Sequence, residues 1–245
     1  MGSLDTLLDL VYPPRCPFCG RVTPEGAPCP SCVEELSQIP PVEQALAGVA
    51  GSYGRLIVAY PYEGIVRRVV LRYKKLGQRQ LDELLAAYLS VALRRQATDW
   101  AFDLVTAAPG NRRNVHTRGF DAGERIAQQA ARLLGLPFYP LFTPHDGPSQ
   151  KELTEAQRLH AAKGIHLKEN APDLTGLRIL LVDDVVTTGA TIATCGAALR
   201  QAGACEVMAA AVAITNKPQQ EQAKLQLTAA SPREETEKPQ KIIRL

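Results

Sequence analysis

Apolar and polar positions follow two different rhythms along the chain. Residues 80–96, QLDELLAAYLSVALRRQ, place their apolar side chains at helical spacing and predict an amphipathic helix. Residues 63–75 read as a second helix with a basic polar face. A third starts at Asp121, where Asp121 and Glu124 form a capping-box-like pair, and Gly135 stops it. The stretches LIVAY (56–60), DLVTAAP (103–109), RILLV (178–182) and EVMAAAVAI (206–214) are instead continuous apolar runs of strand length. LPFYPLF (136–142) reads as a short strand, and a helix from about 189 to 202 ends at Gly203. Residues 33–50 read as a mixed linker with a short helix, and 143–170 as polar chain with a short helix around 153–163.

Strands apolar on both faces, alternating with helices, predict an α/β fold with a mostly parallel sheet flanked by helices. In such sheets ligands sit beyond the carboxyl ends of the strands. The predicted division is 1–50 for an N-terminal helix, a cysteine knuckle and a linker, 51–215 for the α/β domain, and 216–245 for a flexible tail. Leu4, Leu7, Leu8 and Val11 fit one face of the N-terminal helix, which Pro13 and Pro14 terminate. Asp5 and Asp9 within that stretch make it a poor signal peptide, and no apolar run reaches the length of a spanning helix. A cytoplasmic protein without membrane insertion is expected.

A net charge of +3 over 245 residues argues for no particular partner. Local clusters say more. Arg67, Arg68, Arg72, Lys74, Lys75 and Arg79 lie together without an acidic neighbour, and Arg112, Arg113 and Arg118 form a second group. Either could be a solvated face or could meet phosphates.

Two motifs carry chemistry. Cys16, Cys19, Cys29 and Cys32 form two Cys-x2-Cys pairs within seventeen residues. Two facing pairs let four thiolates converge at about 2.3 Å on a structural Zn2+, with no open position for catalysis. Disulfides and a redox pair are the competing readings; the first lacks a secretion signal and the second uses one pair, not two. The second motif is ILLVDDVVTTGATI (179–192). Asp183 and Asp184 follow a buried strand, and Thr187, Thr188, Gly189, Ala190 and Thr191 lead into a helix. A helix mouth with free N–H groups and hydroxyls cradles a phosphomonoester. The carboxylates beside it accept from vicinal hydroxyls or hold Mg2+ through water. A sugar phosphate satisfies both halves. The four histidines, 116, 145, 160 and 166, have no ligand-like spacing.

LLVDDVVTTGAT resembles the 5-phosphoribosyl-1-pyrophosphate (PRPP) loop of type I phosphoribosyltransferases. With PPRCPFCG…CPSC and RGFDAGERIA (118–127), residues 4–215 resemble the ComF family, competence-associated proteins with a zinc knuckle ahead of a phosphoribosyltransferase domain. The resemblance implies a type I phosphoribosyltransferase-like fold in which Asp183 and Asp184 contact ribose and Thr187 to Thr191 hold the 5-phosphate. Arg112 and Arg118 would meet pyrophosphate, and Mg2+ would bridge pyrophosphate and ribose. It implies a role in DNA uptake, with single-stranded DNA and the competence machinery as partners. The alternative is a biosynthetic or salvage transferase passing phosphoribose to a nucleobase or other small acceptor. The pyrophosphate loop, TAAPGNRR, keeps Pro109 and the arginines of the family pattern. The family's Lys-Tyr pair aligns here with either Arg72-Tyr73 or Lys74-Lys75.

Overall fold

The computed structural model describes residues 13–144 and 164–215. The N-terminal helix, the short helix around 153–163 and the tail from 216, all predicted above, lie outside the described residues.

The cysteine knuckle comes first. Cys16 N–H donates to the Arg21 carbonyl at 2.7 Å and Gly20 N–H to the Cys16 carbonyl at 2.8 Å, which closes a tight turn around the first cysteine pair. The second pair opens a helix, α1 (Pro30–Ser37), with Cys29 as its N-cap. Pro30 takes the first helical position, where a missing N–H is no loss. Phe18, 2 % exposed, drops from the knuckle into the main core.

An antiparallel hairpin follows, β1 (Leu46–Val49) and β2 (Tyr53–Pro61). Residues 46–49 thus belong to the sheet edge, although the sequence read them as linker. Then come α2 (Gly64–Leu76), α3 (Arg79–Gln96), β3 (Leu104–Ala107), α4 (Arg112–Arg118), α5 (Ala122–Leu134), β4 (Arg178–Val186), α6 (Ala190–Gln201) and β5 (Glu206–Ile214). The sheet order is β1-β2-β5-β4-β3, and every pairing except β1–β2 is parallel.

Both faces of the sheet are buried. Ile57, Ala59, Leu180 and Val182 join α2, α3 and α5 on one side, while Leu56, Val58, Ile179 and Leu181 join α6 on the other. That is why these strands read as unbroken apolar runs and not as alternating ones.

Two boundaries moved from expectation. β4 continues past Val182 because its ladder with β5 runs to Val186 opposite Ile214. LPFYPLF makes only single bridges, Val105 with Phe138 and Phe142 with Leu167. Pro137 and Pro140 have no N–H to donate, so no longer ladder forms there.

Candidate functional site

Asp183 and Asp184 are the fourth and third residues from the end of β4, held in register by β5, where Asp183 faces Ala211. The strand's pleat sends neighbouring side chains in opposite directions, so the two acids have different surroundings. Asp184 is 8 % exposed. Lys74 Nζ, from α2, lies 2.9 Å from its Oδ1 and 2.8 Å from its Oδ2. Burial works against the Lys74 ammonium, but the charges of Asp184 and Asp183 win and raise its pKa.

Asp183 is half-buried. Its Oδ1 accepts from the Asp184 N–H at 2.7 Å. Burial and the adjacent Asp184 charge push its carboxyl up to about 8, against the pull of Lys74. One acid is therefore neutralised by a partner, and the other is held ready to gain or lose a proton.

The turn beyond β4 follows from its residue types. Gly189 adopts a φ of 76° and caps α6, and the Thr188 hydroxyl accepts from the Ala190 N–H at 3.4 Å. The Thr187 carbonyl accepts from the Thr215 hydroxyl at 3.2 Å, which ties the turn to the end of β5. Thr187, Thr188, Gly189, Ala190 and Thr191 are all half-buried around the start of α6. The structure thus brings this run together with the two acids.

A third acid completes the group. Asp121 caps α5 through Oδ1, which accepts from the Glu124 N–H at 3.2 Å. Its Oδ2 accepts from the Gly110 N–H at 2.7 Å, anchoring the loop after β3. A Cβ on Gly110 would lie 2.6 Å from that oxygen, so only glycine fits. Burial, then the charge of Asp184, raises the Asp121 pKa, although its N–H donors oppose them.

The arginines separate. Arg118 closes α4, is exposed, and its charge opposes protonation of Lys74. Arg112 is exposed at the other end of α4 and reaches the Pro144 carbonyl at 3.4 Å. The RGFDAGERIA segment supports this arrangement from below. The Phe120 and Tyr73 rings lie 5.6 Å apart, the Arg125 guanidinium sits 4.7 Å over Phe120, and Arg125 pairs with buried Asp82. Of the two alignments left open, position 73 is a buried tyrosine and position 74 is the lysine on Asp184. Lys74, Asp121 and Gly110 were not singled out as site residues from the sequence.

The knuckle presents a separate site. The Sγ atoms of Cys16, Cys19, Cys29 and Cys32 lie within 4.8 Å of one another. A tetrahedron with Zn–S bonds of about 2.3 Å has edges of about 3.8 Å, and Cys19 Sγ to Cys29 Sγ is 3.7 Å. The donor set and spacing fit zinc. Burial raises the Cys16 thiol, but the backbone N–H groups of Cys29, Cys19 and Phe18 outweigh it and bring it down to about 6. Cys32 moves the other way, pushed up by burial, by its contacts with Cys29 and Cys19 and by the Cys16 charge, so the four sulfurs are not uniformly thiolates without a metal.

Much of the basic run on α2 is engaged within the molecule. Arg68 pairs with Glu35 of α1 at 2.5 Å, Arg72 packs against Gly20, and Lys74 holds Asp184. Arg67, Lys75 and Arg79 remain exposed.

Comparison with known proteins matches two stretches of the chain. A double zinc ribbon domain model matches residues 7–44, and a phosphoribosyl transferase domain model matches residues 120–235. Competence protein ComFC of Streptococcus pneumoniae is 24% identical over 206 residues, covering 84% of this chain and 83% of its own length. DNA utilization protein YhgH of Salmonella typhi is 27% identical over 197 residues, covering 78% and 80%. Among solved structures, adenine phosphoribosyltransferase from Thermoanaerobacter pseudethanolicus superposes with a TM-score of 0.39 at 16% identity, over 75% of this chain and 98% of that one. A purine phosphoribosyltransferase from Pyrococcus horikoshii gives 0.33 at 19% identity, over 54% and 71%.

Proposed function

The chain belongs to the ComF family, a double zinc ribbon joined to a phosphoribosyl transferase domain, and on that premise we propose that it binds PRPP at the carboxyl end of β4 and serves DNA uptake. The observation that carries this reading is the juxtaposition of Asp183 with the Thr187–Gly189 turn at the mouth of α6. The α6 mouth and the threonine hydroxyls take the 5-phosphate. Asp183 accepts from the ribose hydroxyls, and it must be a carboxylate to accept at both oxygens. Arg118 and Arg112, at opposite ends of α4, are the cations offered to pyrophosphate. Mg2+, when bound beside the acids, would supply charge compensation for the pyrophosphate oxygens.

Lys74 has a double role in this scheme. Without ligand it neutralises Asp184 and keeps the two acids from repelling each other. With a polyanion in the crevice, the same ammonium adds to the attraction. Transfer, if an acceptor is supplied, is electrostatic: cations stabilise departing pyrophosphate while C1 of the ribose gains positive character. The zinc knuckle is structural, and its metal supplies folding free energy to a segment with little core of its own.

Titration calorimetry with Mg2+ and PRPP tests the site. Wild-type protein is expected to bind and Asp183→Asn to lose binding by at least about tenfold, the loss of a charge-assisted pair. Equal affinity in the two proteins would remove the assignment. The DNA reading rests on the exposed cations Arg67, Lys75 and Arg79. It predicts oligonucleotide binding that weakens with salt and weakens further when the three are replaced by alanine.

A further inference from the structure

The knuckle and the transferase domain meet along one face of α2, and that meeting is electrostatic as well as apolar. Arg68 and Arg72 are four residues apart and project side by side. Arg68 Nη2 reaches Glu35 Oε2 at 2.5 Å, on the helix that Cys29 caps and that carries Cys32 in its first turn, and it also lies in the field of Cys32 and Cys19. Arg72 sits against the turn that follows Cys19. A Cβ on Gly20 would be 2.8 Å from Arg72 Nη2 and 3.1 Å from its Cζ, and Gly20 has a φ of 80°. Arg72 Nε is buried, and among the described residues it has no hydrogen-bond partner. A half-buried guanidinium with an unsatisfied N–H, pressed against a cysteine turn, needs a negative neighbour to be stable.

Four thiolates around one Zn2+ supply it, because the complex carries two net negative charges. We propose that Arg68 and Arg72 are outer countercharges of a zinc tetrathiolate, so that zinc occupancy fixes the docking of the knuckle on α2 and, through that helix, the placement of Lys74 beside Asp184. This rests on the zinc reading of the four cysteines. When the tetrathiolate is lost, Arg72 loses its countercharge while Arg68 keeps Glu35, and that one ion pair is left to hold the knuckle to α2. α2 then loosens from the knuckle. Lys74 lies two residues beyond Arg72 and is directed to the acids on β4, so loss of zinc is felt at the sugar-phosphate site without any ligand in common.

The experiment uses the full chain purified with zinc. Zinc transfer to a chromophoric chelator is followed for wild type, Arg68→Ala, Arg72→Ala and the double variant. Each single substitution is expected to release zinc about tenfold faster, as removal of a group that supports a metal ligand does. Gly20→Ala, which displaces Arg72, is expected to act in the same direction. If Arg72→Ala fails to fold, Arg72→Lys carries the test; it keeps the charge without the planar fork, and is expected to release zinc a few-fold faster. Hydrogen exchange over residues 64–76 is then compared in zinc-loaded and chelated wild type, with faster exchange expected after chelation. Zinc retained equally by the double variant and wild type, or exchange over 64–76 indifferent to zinc, would overturn this inference alone. Wild-type protein purified without zinc would overturn the reading of the knuckle and this inference with it.

Discussion

Binding of PRPP should release a proton, and the amount follows from the surroundings of Asp183. Burial and the charge of Asp184 raise its carboxyl to about 8. At pH 7 such a group is about nine-tenths protonated, and at pH 9 about one-tenth. Accepting two ribose hydroxyls requires the carboxylate, so loading the site at pH 7 expels about 0.9 proton, and at pH 9 about 0.1. Below pH 8 the affinity should rise roughly tenfold per pH unit from this group. Calorimetry at pH 7 in two buffers of different ionisation enthalpy measures the release directly. PRPP has ionisations of its own, so the release is compared with that of Asp183→Asn, which lacks the titrating carboxyl, at concentrations that saturate its weaker binding. Release at pH 7 no larger than at pH 9 would refute the claim that Asp183 is the protonated member of the pair. It would leave the phosphate cradle untouched.

The same shift bears on stability. A carboxyl whose folded pKa lies above its unfolded one stabilises the fold below the unfolded value and loses that contribution as pH rises through the folded value. Asp183 should therefore make the protein less stable between about pH 4 and pH 8, and Asp183→Asn should flatten that slope in urea denaturation. Arg125→Ala should destabilise the protein by about 3–5 kcal/mol, because it strands Asp82, 2 % exposed, as an unpaired buried charge; equilibrium unfolding measures this. Gly110→Ala should weaken PRPP binding while leaving the thermal midpoint within a few degrees, since it displaces the Asp121 contact in a loop and not in the core. Unchanged affinity would mean that the loop after β3 does not touch the ligand.

The sheet was legible in the sequence because its central strands are buried on both sides. EVMAAAVAI matches β5 residue for residue, and Asp121 and Gly135 bracket α5 as their capping chemistry predicts. The hairpin edge was not legible. LAGV, only four residues long and without a polar side chain to set an alternation, gives no period to read. The helix that carries Cys32 was signalled by Pro30, which favours a helix start. The acids and threonines were visible as a motif. Lys74 was hidden among five neighbouring cations, and only the turn of α2 decides which of them faces β4. Gly110 and Asp121 lie eleven residues apart and meet only because β3 and α5 pack together.

The ladder between β4 and β5 extends beyond both acids, to Val186 opposite Ile214. Their main chain is thus held within the parallel ladder, whereas the threonines that follow lie in the turn and the start of α6, tied to β5 through Thr215. Substitutions from Thr187 to Thr191 can retune what the crevice accepts without moving the charges at its floor. The floor itself tolerates no such tinkering, because a shift of one rung would turn Asp183 into the seat of Asp184.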